Sequence, residues 1–276
     1  MHSAAFIISV YAGDRVDWLR EALESVLNQT VPQEQVHLYI CADGPLSEAL
    51  NACLEQFADR VHKLIRLPEN RGLATALNRL IDALDDEKYI FRLDSDDICL
   101  PDRVERQMEF LEKNPEVMLC GSSIQEFSET PEQIGLLRTY PAELSTIRKY
   151  ILKANPFAHS TICFRREFFE RVGLYNEEFP LRQDIELWFR AVAQGVPMAN
   201  LRDPVLLFRV SDELVQRRNL SVGLVEFQIF MKGIYQLKGI HPAMIWPVFR
   251  LVVRILPARV TGWIYRRSVR KILNAS

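Results

Sequence analysis

Over residues 4–93 the hydrophobic pattern switches back and forth between two periods. Ala4–Tyr11 (AAFIISVY) is an almost unbroken apolar run of strand length. Asp14–Gln29 instead places Val16, Leu19, Leu23, Val26 and Leu27 at the i, i+3, i+4, i+7 spacing of an amphipathic helix, with Asp14 near its start. The same switch recurs as strand Val36–Ala42, helix Glu48–Phe57, strand Val61–Leu67, helix Leu73–Leu84 and strand Tyr89–Leu93. A βαβαβαβ alternation predicts a mostly parallel sheet with helices on both faces. Beyond it the pattern predicts a helix over Asp102–Lys113, a strand over Val117–Phe127, a helix over Leu144–Leu152, a loop from Asn155 that enters a strand, and a helix beginning at Asp184.

The strand Tyr89–Leu93, apolar but for Arg92, hands over to Asp94, Asp96 and Asp97 within four positions. Three carboxylates at one strand end repel one another and raise each other's pKa, so they need a hard divalent ion or hydrogen-bond donors. In an open α/β sheet that end of a strand is also where ligands bind. An acidic turn that merely caps the helix after Pro101 is the plainer alternative, since Asp is a good N-cap and Pro a good first helical residue. Three more loops fall on the same edge. Ser9-Val10-Tyr11 offers a hydroxyl and an aromatic face for a base, Ala42-Asp43-Gly44 a carboxylate for a ring N–H, and Asn70-Arg71-Gly72 a guanidinium for a base carbonyl or a phosphate. Together they suit a pyrimidine nucleotide. Singly, Tyr11 reads equally as a strand-end core residue, Asp43-Gly44 as an ordinary turn and Arg71-Gly72 as a cap or turn pair.

In their order, SVY, ADG, NRGLATALN and RLDSDDICLPDRVERQ resemble the motifs of glycosyltransferase family 2, inverting enzymes of the GT-A fold, over roughly residues 4–221. The resemblance implies that Tyr11, Asp43 and Arg71 hold uracil, with Ser9 beside them. It implies that Asp94 serves the ribose or the metal shell, and that Asp96 binds Mn²⁺ or Mg²⁺. It further implies a general base at Asp184, in Arg182-Gln183-Asp184-Ile185-Glu186, where Gln183 replaces the usual Glu. The alternative for Asp184 is a helix-dipole acid worth ~0.3–1 kcal/mol. His159 is expected either as a satisfied structural histidine or as an acceptor or phosphate contact. The segment Leu206–Ser221 is expected to close over the diphosphate, with Arg209, Arg217 and Arg218 as candidate charge partners. Gln216-Arg217-Arg218 is not the Gln-x-x-Arg-Trp of processive synthases, so addition of a single sugar is expected. Two other readings compete. Asp-x-Asp after a strand also marks haloacid-dehalogenase-type phosphatases, although Ile98 stands where they have Thr or Val and the motif here ends about the fourth strand rather than the first. A catalytically silent nucleotide-sugar-binding subunit would share every binding motif.

Composition narrows the setting. At 276 residues and 48% hydrophobic, the chain can bury a full core. The expected division is a catalytic domain over residues 1–238, with a nucleotide-sugar half of about 1–115 and an acceptor half of about 116–238, then a tail over 239–276. Five cysteines, odd in number and without a C-x-x-C, disfavour a disulfide framework or a zinc site and fit a reducing cytoplasm. Neither a signal peptide nor an uncharged apolar run of about 18 residues is present. After Glu226 there is no acidic residue, while Lys232, Lys238, Arg250, Arg254, Arg259, Arg266, Arg267, Arg270 and Lys271 are basic; setting those nine aside turns the net charge of −2 into −11 over residues 1–226. In the tail, apolar and aromatic residues alternate with these bases at helical spacing on both sides of Pro257, an interfacial pattern. Helices that simply pack on the domain or form a dimer contact are the alternative. The expected partners are a UDP-sugar, a lipid-linked saccharide acceptor and the inner face of the cytoplasmic membrane, to which the protein is peripherally attached; no nucleic-acid partner is expected.

Overall fold

The computed structural model describes residues 3–210 and 220–255. Arg217, Arg218 and the end of the tail from Leu256 lie outside the described residues. The first half follows the expected alternation: β1 (Ala4–Val10), α1 (Val16–Leu27), β2 (Val36–Ala42), α2 (Glu48–Gln56), β3 (Val61–Arg66), α3 (Leu73–Asp82) and β4 (Tyr89–Leu93). The four strands pair in parallel in the order β3-β2-β1-β4. The second half adds β5 (Ile98–Cys99), α4 (Arg103–Lys113), β6 (Leu119–Phe127), β7 (Ile134–Arg138), α5 (Leu144–Tyr150), β8 (Cys163–Arg165), α6 (Glu167–Val172), α7 (Gln183–Ala193) and β9 (Met198–Arg209). Among the described residues these strands complete a nine-stranded sheet, β3-β2-β1-β4-β8-β6-β9-β5, with β7 beside β6.

Side chains leave β1 alternately toward two cores. Phe6 and Ile8 pack with Leu19 and Leu23 of α1, Leu50 of α2 and Val104 of α4, whereas Ala5 and Ile7 pack with Leu77 of α3 and Trp188 of α7. A strand covered on both faces must be apolar at both phases, which is why β1 reads as a run rather than as an alternation.

The segment expected to cover the diphosphate begins differently. Leu206–Arg209 belong to β9, where Leu206 and Leu207 pair with Cys99 and Ile98 of β5, and Phe208 and Arg209 with Glu126 and Phe127 of β6. Pro204 explains how one strand serves two partners. It lacks an N–H for the ladder, and the β6–β9 register shifts on both sides of the Ser123–Pro204 pair.

Helix α8 (Leu220–Lys238) packs on α7, with Phe230 meeting Phe189 edge-on at 5.4 Å. Gly233 permits that approach, since a Cβ there would stand 2.3 Å from the Phe189 ring. Helix α9 (Ile245–Ile255) folds back on α8 with the Arg250 guanidinium 3.9 Å from the Phe230 ring centre and bonded to Glu226 at 3.0 Å. Among the described residues no helix is long and apolar enough to cross a membrane. All five cysteines are buried and free.

Candidate active site

Because β2, β1 and β4 are neighbours, the loops leaving their carboxyl ends meet on one edge. The Asp43 N–H donates to the Val10 carbonyl at 2.7 Å and ties two of those ends together. The buried Asp43 carboxylate accepts the backbone N–H groups of Arg71 (2.7 Å) and Gly72 (2.9 Å), which fixes the start of α3. Each oxygen keeps a second lone pair, so the same carboxylate can still accept from a ring N–H. At Gly44 the loop needs φ 89° and has no room for a side chain, since a Cβ would stand 2.6 Å from the Asn70 nitrogen. Tyr11 is partly exposed, its ring lying over Gly13, and Ser9 is half-buried at the end of β1. The Arg71 side chain points to Glu69 at 3.0 Å and is 57% exposed.

The aspartate turn between β4 and β5 brings one oxygen each of Asp94, Asp96 and Asp97 within 4.8 Å of the others. Asp94 is gripped by both ends of the Arg92 guanidinium, which is itself fully buried in β4. Burial, then the charge of Asp94, pushes Asp96 up to about 6. Burial, then Asp96 and Asp94, holds Asp97 well above the usual carboxylate range. Asp97 accepts the Arg209 N–H through Oδ1 at 2.9 Å, while its buried Oδ2 has no hydrogen-bond partner. Three crowded acids with one bare buried oxygen are an oxygen-rich donor set that fits a hard divalent ion.

Asp14 stands just before α1, near the helix start as expected. It does not cap that helix, which begins after Arg15 with no side-chain cap, but accepts the Tyr11 N–H at 2.9 Å and bonds the Ser95 side chain within the aspartate turn. Burial raises its pKa to about 7, with Asp96 and Asp94 adding to the rise. Arg209 braces the turn from the other side. Its Nε donates to the Asp96 carbonyl at 2.9 Å, Nη1 to the Glu129 carbonyl at 3.1 Å and Nη2 to Glu21, and the group stacks on Phe127 and Trp18. The guanidinium expected to meet the diphosphate is therefore fully buried, with its nitrogens spent on Asp96, Glu129 and Glu21.

Asp184 is the second residue of α7. The residue before the helix, Arg182, is left-handed at φ 63°, the one positive φ outside glycine among the described residues, a conformation that costs ~1–3 kcal/mol and persists where the surroundings impose it. The Asp184 carboxylate is 8% exposed and accepts from Asn155 Nδ2 at 2.7 Å. Burial raises its pKa, opposed by Arg182, the Asn155 hydrogen bond and Arg92. A buried carboxylate whose pKa is raised holds a proton more tightly than a free one, the direction that suits a group accepting a proton. His159 lies in a single 3₁₀ turn, with Nε2 and the Tyr175 hydroxyl 2.8 Å apart and its ring edge-on to Trp188 at 6.0 Å. Burial, then the charge of Arg92, keeps its pKa well below the usual histidine value, so it is neutral, as a satisfied structural histidine would be.

The aspartate turn and Asp184 lie in one neighbourhood. The charge of Arg92 reaches Asp96 and Asp184, and those of Asp97 and Asp184 both reach Tyr140. Arg92, Asp14 and Asn155 are the members that sequence reasoning missed. Only Arg92 carried a signal: a guanidinium in a buried strand requires a partner charge, and Asp94 is two residues away. Glu186, by contrast, pairs along its own helix with Arg190 at 2.9 Å, as expected of a helix-surface residue. A second cluster, His37, His62 and Glu87, lies at the opposite end of the strands. Its imidazoles stack 4.5 Å apart and 6° from parallel, so one ion could not lie in both ring planes.

An α/β sheet of this form, with three carboxylates ending its fourth strand, has the form of the GT-A fold of glycosyltransferases. The profile of Glycosyl transferase family 2 matches residues 5–173, and the chain belongs to that family. It is 32% identical over 268 residues to an uncharacterised glycosyltransferase of Haemophilus influenzae, covering 96% of this chain and 98% of that protein. It is 30% identical to the amylovoran biosynthesis glycosyltransferase AmsE of Erwinia amylovora (95% and 97% covered). Identity is also 30% to the UDP-Gal:α-D-GlcNAc-diphosphoundecaprenol β-1,3-galactosyltransferase of Escherichia coli (97% and 96%). Among solved structures, S. aureus TarS with UDP-GlcNAc superposes with a TM-score of 0.67 at 13% identity, covering 98% of this chain and 77% of that one. The Pyrobaculum calidifontis mannosyltransferase with GDP-Man and Mn²⁺ gives 0.61 at 13% identity, with 98% and 81% covered.

Proposed function

We propose that this chain is an inverting, metal-dependent, non-processive enzyme that moves one hexose or N-acetylhexosamine from a UDP-sugar to a lipid-linked glycan in bacterial surface polysaccharide biosynthesis. The observation that carries the reading is that the clustered aspartates of the turn and buried Asp184 lie within reach of the same Arg92 charge. The donor half, about residues 1–115, supplies Tyr11, Asp43, Arg71 and Ser9 for the uridine and Asp94 for the ribose. Asp96, with Asp94 and the bare oxygen of Asp97 beside it, would hold Mn²⁺ or Mg²⁺, which supplies charge neutralisation for the departing diphosphate. In the acceptor half, about 116–238, Asp184 takes the proton of the acceptor hydroxyl as that oxygen bonds to the anomeric carbon. The bond from that carbon to the diphosphate oxygen breaks on the opposite face, which inverts the centre. Asn155 aims the carboxylate and Arg92 opposes the rise in its pKa. The full-length relatives named for amylovoran biosynthesis and for transfer to a diphosphoundecaprenol acceptor support the pathway and the acceptor class. A lipid-linked acceptor requires work at the inner membrane face, with residues 239–276 as the basic attachment.

The test is a panel of UDP-, GDP- and dTDP-sugars offered with Mn²⁺ and a polyprenyl-diphosphate saccharide, reading released nucleotide and product anomer by NMR. A UDP-sugar consumed with inversion is expected. Turnover of another nucleotide class, or binding of UDP with no transfer to any acceptor, refutes it.

A further inference from the structure

We propose that the exposed apolar residues beside the aspartate turn and Asp184 form a membrane-contact surface, so that the site faces the bilayer directly instead of being held near it by the basic tail alone. The inference rests on the lipid-linked acceptor proposed above. It begins with where large apolar side chains are exposed. Strand β7 has no buried residue, and Ile134, Leu136 and Leu137 project on both of its faces at 47–55% exposure. Such an arm has nothing to gain from water on both sides.

Residues of this kind flank the site on two sides. The turn leading into β7 is bonded to the aspartate turn through Arg209, which donates to both the Glu129 and the Asp96 carbonyls. The chain leaving β7 passes Tyr140, within reach of the charges of Asp97 and Asp184. On the other side, Leu181 is 47% exposed three residues before Asp184. Next to it Arg182 stands 3.7 Å from Glu226, which places the first turns of α8, with exposed Leu220 and Leu224, beside the start of α7.

A bilayer rather than another protein is favoured by what continues this surface. Lys153, two residues before the Asn155 that holds Asp184, lies 6.0 Å from the Trp246 ring centre of α9. The outer side of α9 exposes Ile245, Val248, Phe249 and Val252 at i, i+3, i+4, i+7. From α8 onward no acidic residue follows Glu226, so this apolar stripe lies in a purely basic stretch of chain, the combination that suits an anionic lipid surface.

All five native cysteines are buried, so an environment-sensitive thiol dye can be placed selectively on the full-length chain at Leu137→Cys or Leu181→Cys. Asp59→Cys, exposed at the far end of the sheet beside the start of β3, is the control. With phosphatidylcholine–phosphatidylglycerol vesicles, the dyes at positions 137 and 181 should shift to the blue and be quenched by brominated lipid, and the control dye should not. Leu136→Glu with Leu137→Glu should lower kcat/KM at least tenfold for a polyprenyl-diphosphate saccharide in vesicles. The same pair should stay within twofold for that saccharide on a short, water-soluble diphosphate. Dyes at positions 137 and 181 that remain in water on vesicle-bound protein, protein that ignores vesicles, or equal losses with both acceptors would overturn the proposal. A dye shift without vesicles, accompanied by a dimer on size exclusion, would assign the surface to a second copy and overturn it too. Absence of transfer to any lipid-linked acceptor would remove the functional reading while leaving the dye result to be read by itself.

Discussion

Replacing Asp184 by Asn separates a catalytic base from a structural acid, because the two roles predict opposite signs. The amide keeps the size of the side chain, and its carbonyl can still accept from Asn155 Nδ2, now at 2.7 Å from the carboxylate. It cannot take a proton. Loss of general-base catalysis is worth about 10²–10⁴ in rate, or about 2.7–5.4 kcal/mol of barrier at 1.36 kcal/mol per tenfold. Stability should move the other way. Burial raises the folded-state pKa of Asp184 above the usual 3.8, so the stability that its proton contributes is full below 3.8 and is lost as pH rises through the raised value. At neutral pH the wild-type chain therefore carries the cost of a buried charge that Asp184→Asn lacks. The variant should melt no lower than wild type, and its stability should lose that part of the pH dependence. Were Asp184 only a helix-dipole acid, neutralising it would cost ~0.3–1 kcal/mol and leave transfer intact. Initial rates at saturating donor, donor titration calorimetry and thermal melts at several pH values read all three quantities. Transfer within a few fold of wild type would refute the assignment, and a lower melting temperature with unchanged turnover would establish the cap.

Asp96→Ala should abolish the metal-stimulated part of UDP binding in calorimetry, and in the wild type that part should fade as pH drops through about 6, where Asp96 takes up a proton. Asp97→Ala should affect the metal less but lower the melting temperature, since the Arg209 N–H loses its acceptor at a cost of about 1–3 kcal/mol; equal, near-wild-type binding in both variants would sink the metal assignment. Arg92→Met leaves Asp94 without its buried partner, and urea titration should show a loss of about 3 kcal/mol, the low end for a broken buried pair because Asp94 is 35% exposed and can rehydrate. Gly44→Ala imposes a side chain at φ 89° against the Asn70 backbone, and should cost about 1–3 kcal/mol together with a weaker UDP affinity. An unchanged melt would mean that this loop is not fixed as the structure has it.

The parallel half of the fold was legible because its information is local. Each strand from β1 to β4 is short and bounded by turns, each helix from α1 to α3 carries its own 3.6-residue period, and alternation then dictates adjacency. The edge on which Ser9, Tyr11, Asp43, Arg71 and the aspartates gather follows from the same rule, since loops at the carboxyl ends of parallel neighbours share an edge. β5 and residues 117–210 were harder to read. β5 is too short and β7 too exposed to leave a periodic trace, and β9 is interrupted by Pro204, so Leu206–Arg209 looked like the start of a loop. Side-chain partners separated by long stretches of chain were beyond reach altogether. Arg209 was visible as a cation, but its burial between Trp18, Phe127 and the Asp96 carbonyl joins segments more than eighty residues apart. Asp14 at the start of a helical period looked like an ordinary helix-start acid, and only the tertiary fold turns it toward Ser95 and the other carboxylates. Sequence specifies which groups are present and which edge they reach. Which carboxylate is gripped by Arg92, which is left with a bare oxygen and which is raised by burial depend on distances and desolvation, and these exist only once distant segments have packed.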